Sequence, residues 1–309
     1  MNASTHHNRW PKATLRDSTL RPCHTRKGEG RKVAGVRVVT FNLHAGVDGW
    51  GRPTGALAHL IALAPDIAIC PELWRGDDGT DFVATLTDTT NLKGQFVALA
   101  RAERVTTGHG PRRWQPLLAH FTGERGLYFR EHRELTPQQR EHRRARPQVE
   151  TGEWGIGLFT TLPIESLEVK SLGRLPREKV RRALIVARLN LDGRSIQVLA
   201  LHGAHLSHGS PLLLRRVARI VAALDPDPPI ILAGDFNCWR PLLRVFLPGW
   251  TSLARARTWP GQHPHSQIDH ILGRGPWRRL DAGASDGGSD HRALRADVAL
   301  DELDVRTLG

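Results

Sequence analysis

At 309 residues, with 39% apolar side chains, the chain can bury the core of one large or two ordinary domains. No apolar run reaches the length of about 18 needed to span a bilayer, and the opening thirty residues hold no apolar stretch of the secretory kind, so a cytoplasmic globular protein is expected. The cysteines Cys23, Cys70 and Cys238 lack CxxC spacing, and Cys70 and Cys238 sit in or beside apolar runs, which argues for reduced thiols rather than a disulfide framework. The net charge of +13 points to a polyanionic partner, but it is unevenly spread. Residues 1–32 and 101–148 each carry +6, which leaves the rest of the chain close to neutral. Such basic extensions either solubilise a protein or tether it to DNA or RNA.

Residues 1–32 mix polar and basic types without periodicity and read as a disordered lead-in, so the folded part is expected over 33–303. The β-branched run at 36–41 predicts a strand. Thr54 offers an N-cap ahead of Leu57, Leu60 and Ile61 at helical spacing, Pro65 stops that helix, and 67–70 predicts a second strand. Residues 101–148 interrupt the pattern as a basic insertion, with a charged run from Arg140 to Arg146 that reads as a solvated face. Strands are expected at 157–161, 183–189 and 195–201, the last two joined through the Asp192-Gly193 turn pair. Leu213, Leu214, Val217, Ile220, Val221 and Leu224 line one face of a helix, with Arg215, Arg216 and Arg219 opposite, and 230–233 is a buried strand. A mixed α/β assembly with helices outside its sheets follows.

The chemically versatile residues fall where these strands end. Asn42 and His44 follow the first strand, Glu72 the second, His202 and His205 the strand at 195–201, and Asp235 and Asn237 the strand at 230–233. Asp269 and His270 precede Ile271-Leu272, and Asp290-His291 sits in a Gly-Gly-Ser loop. Ligands gather beyond strand ends in α/β folds. A hard cation such as Mg²⁺ takes carboxylate and amide oxygens and bridges to phosphate, which suits Asn42, Glu72 and Asp290. Phosphoryl transfer also needs a group that orients or deprotonates water, which Asp235 can be, and donors for developing charge, which Asn42, Asn237, His205 and His291 can be.

Together, Thr40-Phe41-Asn42-Leu43-His44, Pro71-Glu72-Leu73, Gly155 through Pro163-Ile164, His205-Leu206, Gly234-Asp235-Phe236-Asn237, Gln267-Ile268-Asp269-His270-Ile271 and Gly288-Ser289-Asp290-His291 resemble the ordered motifs of the endonuclease/exonuclease/phosphatase superfamily, the fold of DNase I, over about residues 34–299. The resemblance implies a four-layer α-β-β-α sandwich, two mixed central sheets flanked by helices, that hydrolyses phosphate esters with Mg²⁺ or Mn²⁺. By motif, Asn42, Glu72 and Asp290 would hold the metal, while Asp235 and Asn237 would position water and phosphate. Asp269 would orient His291, and His205 would contact phosphate or assist the leaving group. Pro71, Ala204 and Ile156 depart from the residues common at those places, which leaves the central set whole and puts rate and specificity in question.

Other readings compete residue by residue. His202, His205 and His208 are spaced by three and would make a zinc site on a helix, but 207–211 reads as a turn and no HExxH pattern accompanies it. His44, His270, His263 and His265 fit structural or loop roles. Arg182 could grip substrate phosphate bidentately or simply lie on the surface. Trp74, Trp154 and Trp239 neighbour the motifs and could pack the core or stack on bases. The leading expectation is a phosphodiesterase or nuclease acting on DNA or RNA. The rival enzyme readings are a sphingomyelinase-like enzyme with a lipid head-group substrate, or a phosphatase of inositol phosphates or other phosphorylated small molecules. The rival from another class is a noncatalytic scaffold.

Overall fold

A computed structural model describes residues 35–48, 53–106, 120–121, 148–178 and 180–301. In chain order its strands are β1 (Gly35–Thr40), β2 (Ile67–Gly76), β3 (Lys93–Thr106), β4 (His120–Phe121), β5 (Gln148–Thr160), β6 (Ile164–Arg174), β7 (Arg181–Leu191), β8 (Arg194–His202), β9 (Ile230–Asp235), β10 (Thr251–Ser252), β11 (Asp269–Arg274), β12 (Trp277–Asp286) and β13 (Arg292–Leu300). The helices are α1 (Ala56–Ala62), α2 (Phe82–Thr89), α3 (Ser210–Ala222) and α4 (Arg240–Phe246). The lead-in at 1–32 and the Arg140 to Arg146 run lie outside the described residues.

Period-2 alternation sorts the apolar residues into layers. On β1, β2 and β13, Val36, Val38, Ile67, Ile69, Leu294, Ala296 and Val298 face inward, where they meet Ile185, Ala187, Ile196, Val198, Ile231, Ala233 and Ile271 of the opposite sheet. The other faces are covered by helices. Val39, Phe41, Ala68 and Cys70 pack on Leu60 of α1 and Leu86 of α2, while Leu184, Leu199, Leu201 and Leu232 pack on Leu213, Leu214 and Val217 of α3 and Leu243 of α4. The result is the four-layer sandwich, with sheet orders β12-β13-β1-β2-β5-β3-β4 and β10-β11-β9-β8-β7-β6.

Both sheets are mixed, because β1/β2 and β8/β9 run parallel while their neighbours are antiparallel. That arrangement brings the C-terminal ends of β1, β8 and β9 and the N-terminal ends of β11 and β13 to one edge of the sandwich. The Asp192-Gly193 pair takes positive φ at both residues (51° and 83°), the two-residue hairpin turn its sequence predicts between β7 and β8. At the edges of the expected insertion at 101–148, residues 101–106 continue β3 and pair with 148–153 at the start of β5. Among the described residues no helix is long and apolar enough to cross a membrane.

Gly234 is the tightest point of this scaffold. Its φ is +147°, and a Cβ there would lie 1.8 Å from the carbonyl oxygen of Leu201 on β8. Gly234→Ala must push β8 and β9 apart just before Asp235, and we expect it to cost about 2 to 4 kcal/mol. Chemical denaturation of the purified variant measures this, and a loss under about 0.5 kcal/mol, the range of ordinary surface substitutions, would show that the strands tolerate the methyl group.

Candidate active site

Glu72 enters the cleft through a β-bulge. Pairing with β5 skips from Pro71 to Leu73, and Glu72, the extra residue, has φ 55°. Positive φ in a non-glycine residue costs on the order of 1 kcal/mol and aims the side chain off the pleat. Pro71, an unusual strand residue, sits beside this bulge, and its carbonyl accepts the Leu43 amide at 3.0 Å. That bond ties the loop after β1 to the bulge.

Asn42 occupies the centre. Its Nδ2 donates to Glu72 Oε1 and to Asp235 Oδ2, both at 3.0 Å, while its Oδ1 accepts the His44 amide at 3.0 Å and keeps a second lone pair free. Asp235 also accepts the backbone amide of Asn237 at 2.8 Å and the Asn237 side-chain amide at 3.1 Å. Asn237 reaches this position with φ 50°. His291 Nδ1 bonds Asp269 Oδ2 at 2.8 Å, and its Nε2 points toward Asp235 Oδ2, 3.8 Å away. Ser289 donates to the Asn42 carbonyl at 2.8 Å, and its hydroxyl oxygen lies 3.3 Å from Asp290 Oδ1. Asp290 lies 3.7 Å from His44 Nδ1, which also meets the carbonyl of Val47. Seven of the sequence-selected residues, Asn42, Glu72, Asp235, Asn237, Asp269, Asp290 and His291, therefore share one connected cluster.

His205 is placed differently. It is exposed, its Nδ1 pairs with the Ser207 hydroxyl at 2.8 Å, and its ring lies beside His208. The inward position belongs to His202, whose Nε2 is 3.7 Å from Glu72 Oε1 and 3.8 Å from Asp235 Oδ2. The sequence held a signal for this. His202 is the first polar residue after the buried run of β8, as Asp235 is for β9, and the parallel register pairs His202 with Asp235. The every-third-residue histidines do not converge, since the candidate metal-binding groups among the described residues join His202 to Glu72 and Asp235, and Asp235 to Asp269 and His291.

Arg182 is also not presented to phosphate. It is buried, and its guanidinium is bound to both oxygens of Glu178 at 2.7 and 2.8 Å and lies over the Trp154 ring. Trp154 in turn packs on His202 and donates to Glu72 at 3.4 Å, so it belongs to the wall of the site. Arg104 of β3, inside the supposed insertion, donates to the carbonyl of Ala45, pairs with Glu150, and stacks on Trp74. It thereby holds the strained 44–45 turn (φ 48° and 50°) that carries the His44 amide to Asn42.

The electrostatics follow from burying these charges together. Burial pushes the Asp235 carboxyl up to about 7 even though His291 and the Asn237 and Asn42 amides favour its ionised form. Burial also opposes charge on His291, but the carboxylates of Asp269, Asp235 and Asp290 outweigh it and raise its pKa well above the ordinary value. His202 goes the other way, held neutral by burial and by the positive charges of Arg182 and His291. Among the described residues Glu72, His202 and Asp235 can reach one ion, as can Asp235, Asp269 and His291, and Asp290 and the Asn42 amide oxygen belong to the same cluster; oxygen-rich donors of this kind suit a divalent cation.

A model of the endonuclease/exonuclease/phosphatase family matches residues 39–291. An uncharacterised Escherichia coli K12 protein, YbhP, is 27% identical over 173 residues, 48% of this chain and 64% of that protein, so the chain spans less than two thirds of this relative. Among solved structures, a family member from Beutenbergia cavernae aligns with TM-score 0.55 and 19% identity, covering 86% of this chain and 72% of its own. D. rerio TDP2 in complex with a single-strand DNA product gives 0.54 and 15%, over 86% and 99%. The human Nocturnin catalytic domain with bound sulfate gives 0.54 and 15%, over 86% and 95%.

His270, next to Asp269, is buried behind the site with its Nε2 on the Cys238 carbonyl at 3.0 Å. Burial lowers its pKa from 6.5 to about 4, despite that bond and the Asp269 charge. The unfolded chain binds this proton below about 6.5 and the folded chain does not until about 4. Stability is therefore constant above that window and falls through it as pH drops, by about 3 kcal/mol for this group. Denaturation midpoints of wild type and His270→Gln from pH 7.5 to 4 check this, with a shallower acid slope expected in the variant; equal slopes would remove His270 as a source.

Proposed function

For a chain that belongs to the endonuclease/exonuclease/phosphatase family, we propose divalent-metal-dependent hydrolysis of phosphodiesters, with DNA or RNA as the substrate class. The observation that carries this reading is the meeting of Asp235 with the His291–Asp269 pair in one buried site, a carboxyl pushed up to about 7 beside an imidazolium. A group with its pKa near the working pH is suited to take a proton from water. A charged donor with its ring nitrogen fixed by a carboxylate is suited to stabilise the negative charge that develops on phosphoryl oxygens.

Asp235 would take the proton of the attacking water, with Asn237 and Asn42 fixing the carboxylate that accepts it. His291 would donate from Nε2 to the phosphoryl group, its Nδ1 held by Asp269. Glu72, Asp290 and the free lone pair of Asn42 would hold Mg²⁺ or Mn²⁺, which supplies Lewis-acid charge to the phosphate. His202, neutral and packed against Trp154, would set the facing of Glu72 and Asp235. His205, exposed in the loop after β8, would meet substrate or the leaving group.

Wild type, Asp235→Ala and His291→Ala are to be assayed with Mg²⁺, Mn²⁺ or EDTA on plasmid DNA, RNA, a sphingolipid, an inositol phosphate and a small artificial diester. Metal-dependent cleavage of nucleic acid that falls about 10²- to 10⁴-fold in each variant is expected. Preference for the sphingolipid or inositol phosphate would replace the substrate class, and no turnover of any substrate would favour a scaffold.

The geometry also ranks the two histidines. His202→Ala is expected to lower kcat by more than about tenfold, as for a supporting residue of a buried ionic site, and His205→Ala by less. The reverse order in the same assay would return His205 to the centre of the site.

A further inference from the structure

The chain leaves the candidate site at Asn237 and re-enters it at Asp269. Between these residues, 236–268 holds four arginines, Arg240, Arg244, Arg255 and Arg257, and not one Asp or Glu. The near neutrality of the chain outside residues 1–32 and 101–148 conceals this local excess. Arg240 and Arg244 stand four apart on α4 and therefore share a face, where like charges repel. Arg255 is close enough to join them, since desolvation together with the charges of Arg255 and Arg244 lowers the proton affinity of Arg240. Among the described residues none of these three has an acidic partner. Just before Arg240 stands Trp239, an indole that is 56% exposed, two residues from Asn237. Its backbone is not loose, because the preceding Cys238 carbonyl is held by buried His270.

More than half of the indole and three guanidiniums without an acidic partner among the described residues are left facing solvent. Such an aromatic face takes the flat face of an unpaired base, and guanidiniums take the phosphates on either side of it. A base still paired in a duplex is stacked on its neighbours and does not offer that face. We propose that this surface is a single-stranded nucleic-acid subsite, in which a base stacks on Trp239 and adjoining phosphates lie on Arg240, Arg244 and Arg255, feeding the strand toward Asn237 and Asp235. The proposal rests on the phosphodiesterase reading of the neighbouring site and names the form of nucleic acid it takes.

Binding and turnover are measured separately so that the two readings fail separately. Fluorescein-labelled single-stranded oligothymidylate is titrated with full-length wild type, Trp239→Ala and Arg240→Gln/Arg244→Gln in EDTA, by anisotropy, at several salt concentrations. All three substituted positions lie at the surface, and thermal melts verify that the variants fold. Each variant is expected to bind about tenfold more weakly, and the arginine variant to lose about 0.7 from the salt slope per phosphate contact removed. A matched duplex should bind more weakly than the single strand to wild type and respond little to Trp239→Ala. Turnover of a small diester should be unchanged in both variants. Oligonucleotide affinity that is undetectable in wild type, or unaltered in both variants, overturns the proposal. So does loss of binding to phosphatidylserine vesicles with oligonucleotide affinity intact, which would assign the surface to an anionic membrane. A wild type that binds the oligonucleotide through these residues yet cleaves no diester would refute the catalytic reading and leave the subsite standing.

Discussion

One amide group joins the two halves of the site. Asn42 stands at the end of β1 in one sheet, and its two Nδ2 hydrogens reach Glu72 on β2 of the same sheet and Asp235 on β9 of the other. Most of the remaining contact between the sheets is apolar, which is non-directional and fixes no carboxylate in space, and within the site the other polar link between them is His291 with Asp269. A hydrogen bond is directional, and those to ionised acceptors are the stronger kind. The supports of Asn42 make sense in that light. Ser289 holds its carbonyl, the His44 amide holds its side-chain oxygen, and Arg104 fastens the turn from which that amide projects.

Charge balance imposes the next constraint. Asp235, Asp269 and His291 are almost fully buried, and ionised groups survive burial only when paired. Asp269 and His291 meet that requirement together, so their charges cancel at 2.8 Å. Asp235 has amide donors and the His291 ring 3.8 Å away, and burial outweighs them to raise its pKa to about 7. The same burial keeps His202 neutral, whereas around His291 and, in the same direction, around His44 the neighbouring carboxylates outweigh burial and raise the proton affinity. Environment, more than residue type, distinguishes them.

Much of this was legible in sequence because period-2 runs and strand-end polar residues are local signals. The strands that lead to Asn42 and Asp235, helix α3 and the Asp192-Gly193 turn all follow from patterns of a few residues. What escaped depends on contacts between distant segments. His202 and His205 both follow an apolar run, and only the pairing of β8 with β9 decides which lies beside Asp235. Arg182 reads as free beside a strand, yet Glu178, four residues earlier in the loop after β6, takes two of its three guanidinium nitrogens. Arg104 and the outer part of β3 carry too many charges to read as a strand, because charged residues there pair across strands with Glu150 instead of packing in a core.

The placement of the strained residues links fold to chemistry. Of the six non-glycine residues with positive φ among the described residues, four, His44, Ala45, Glu72 and Asn237, lie in the loops and the bulge that form the cluster. Each such residue costs folding energy that the surrounding sandwich must offset, and the offset comes from a core that runs the full width of both sheets. Relaxing any of these backbones would swing a donor or carboxylate away from the others. A protein that used this fold only for packing would have no reason to keep Glu72 on a left-handed bulge residue with its carboxylate facing Asn42, His202 and Trp154. The strain is where a bound phosphate and its cation would need oxygen and nitrogen atoms held still.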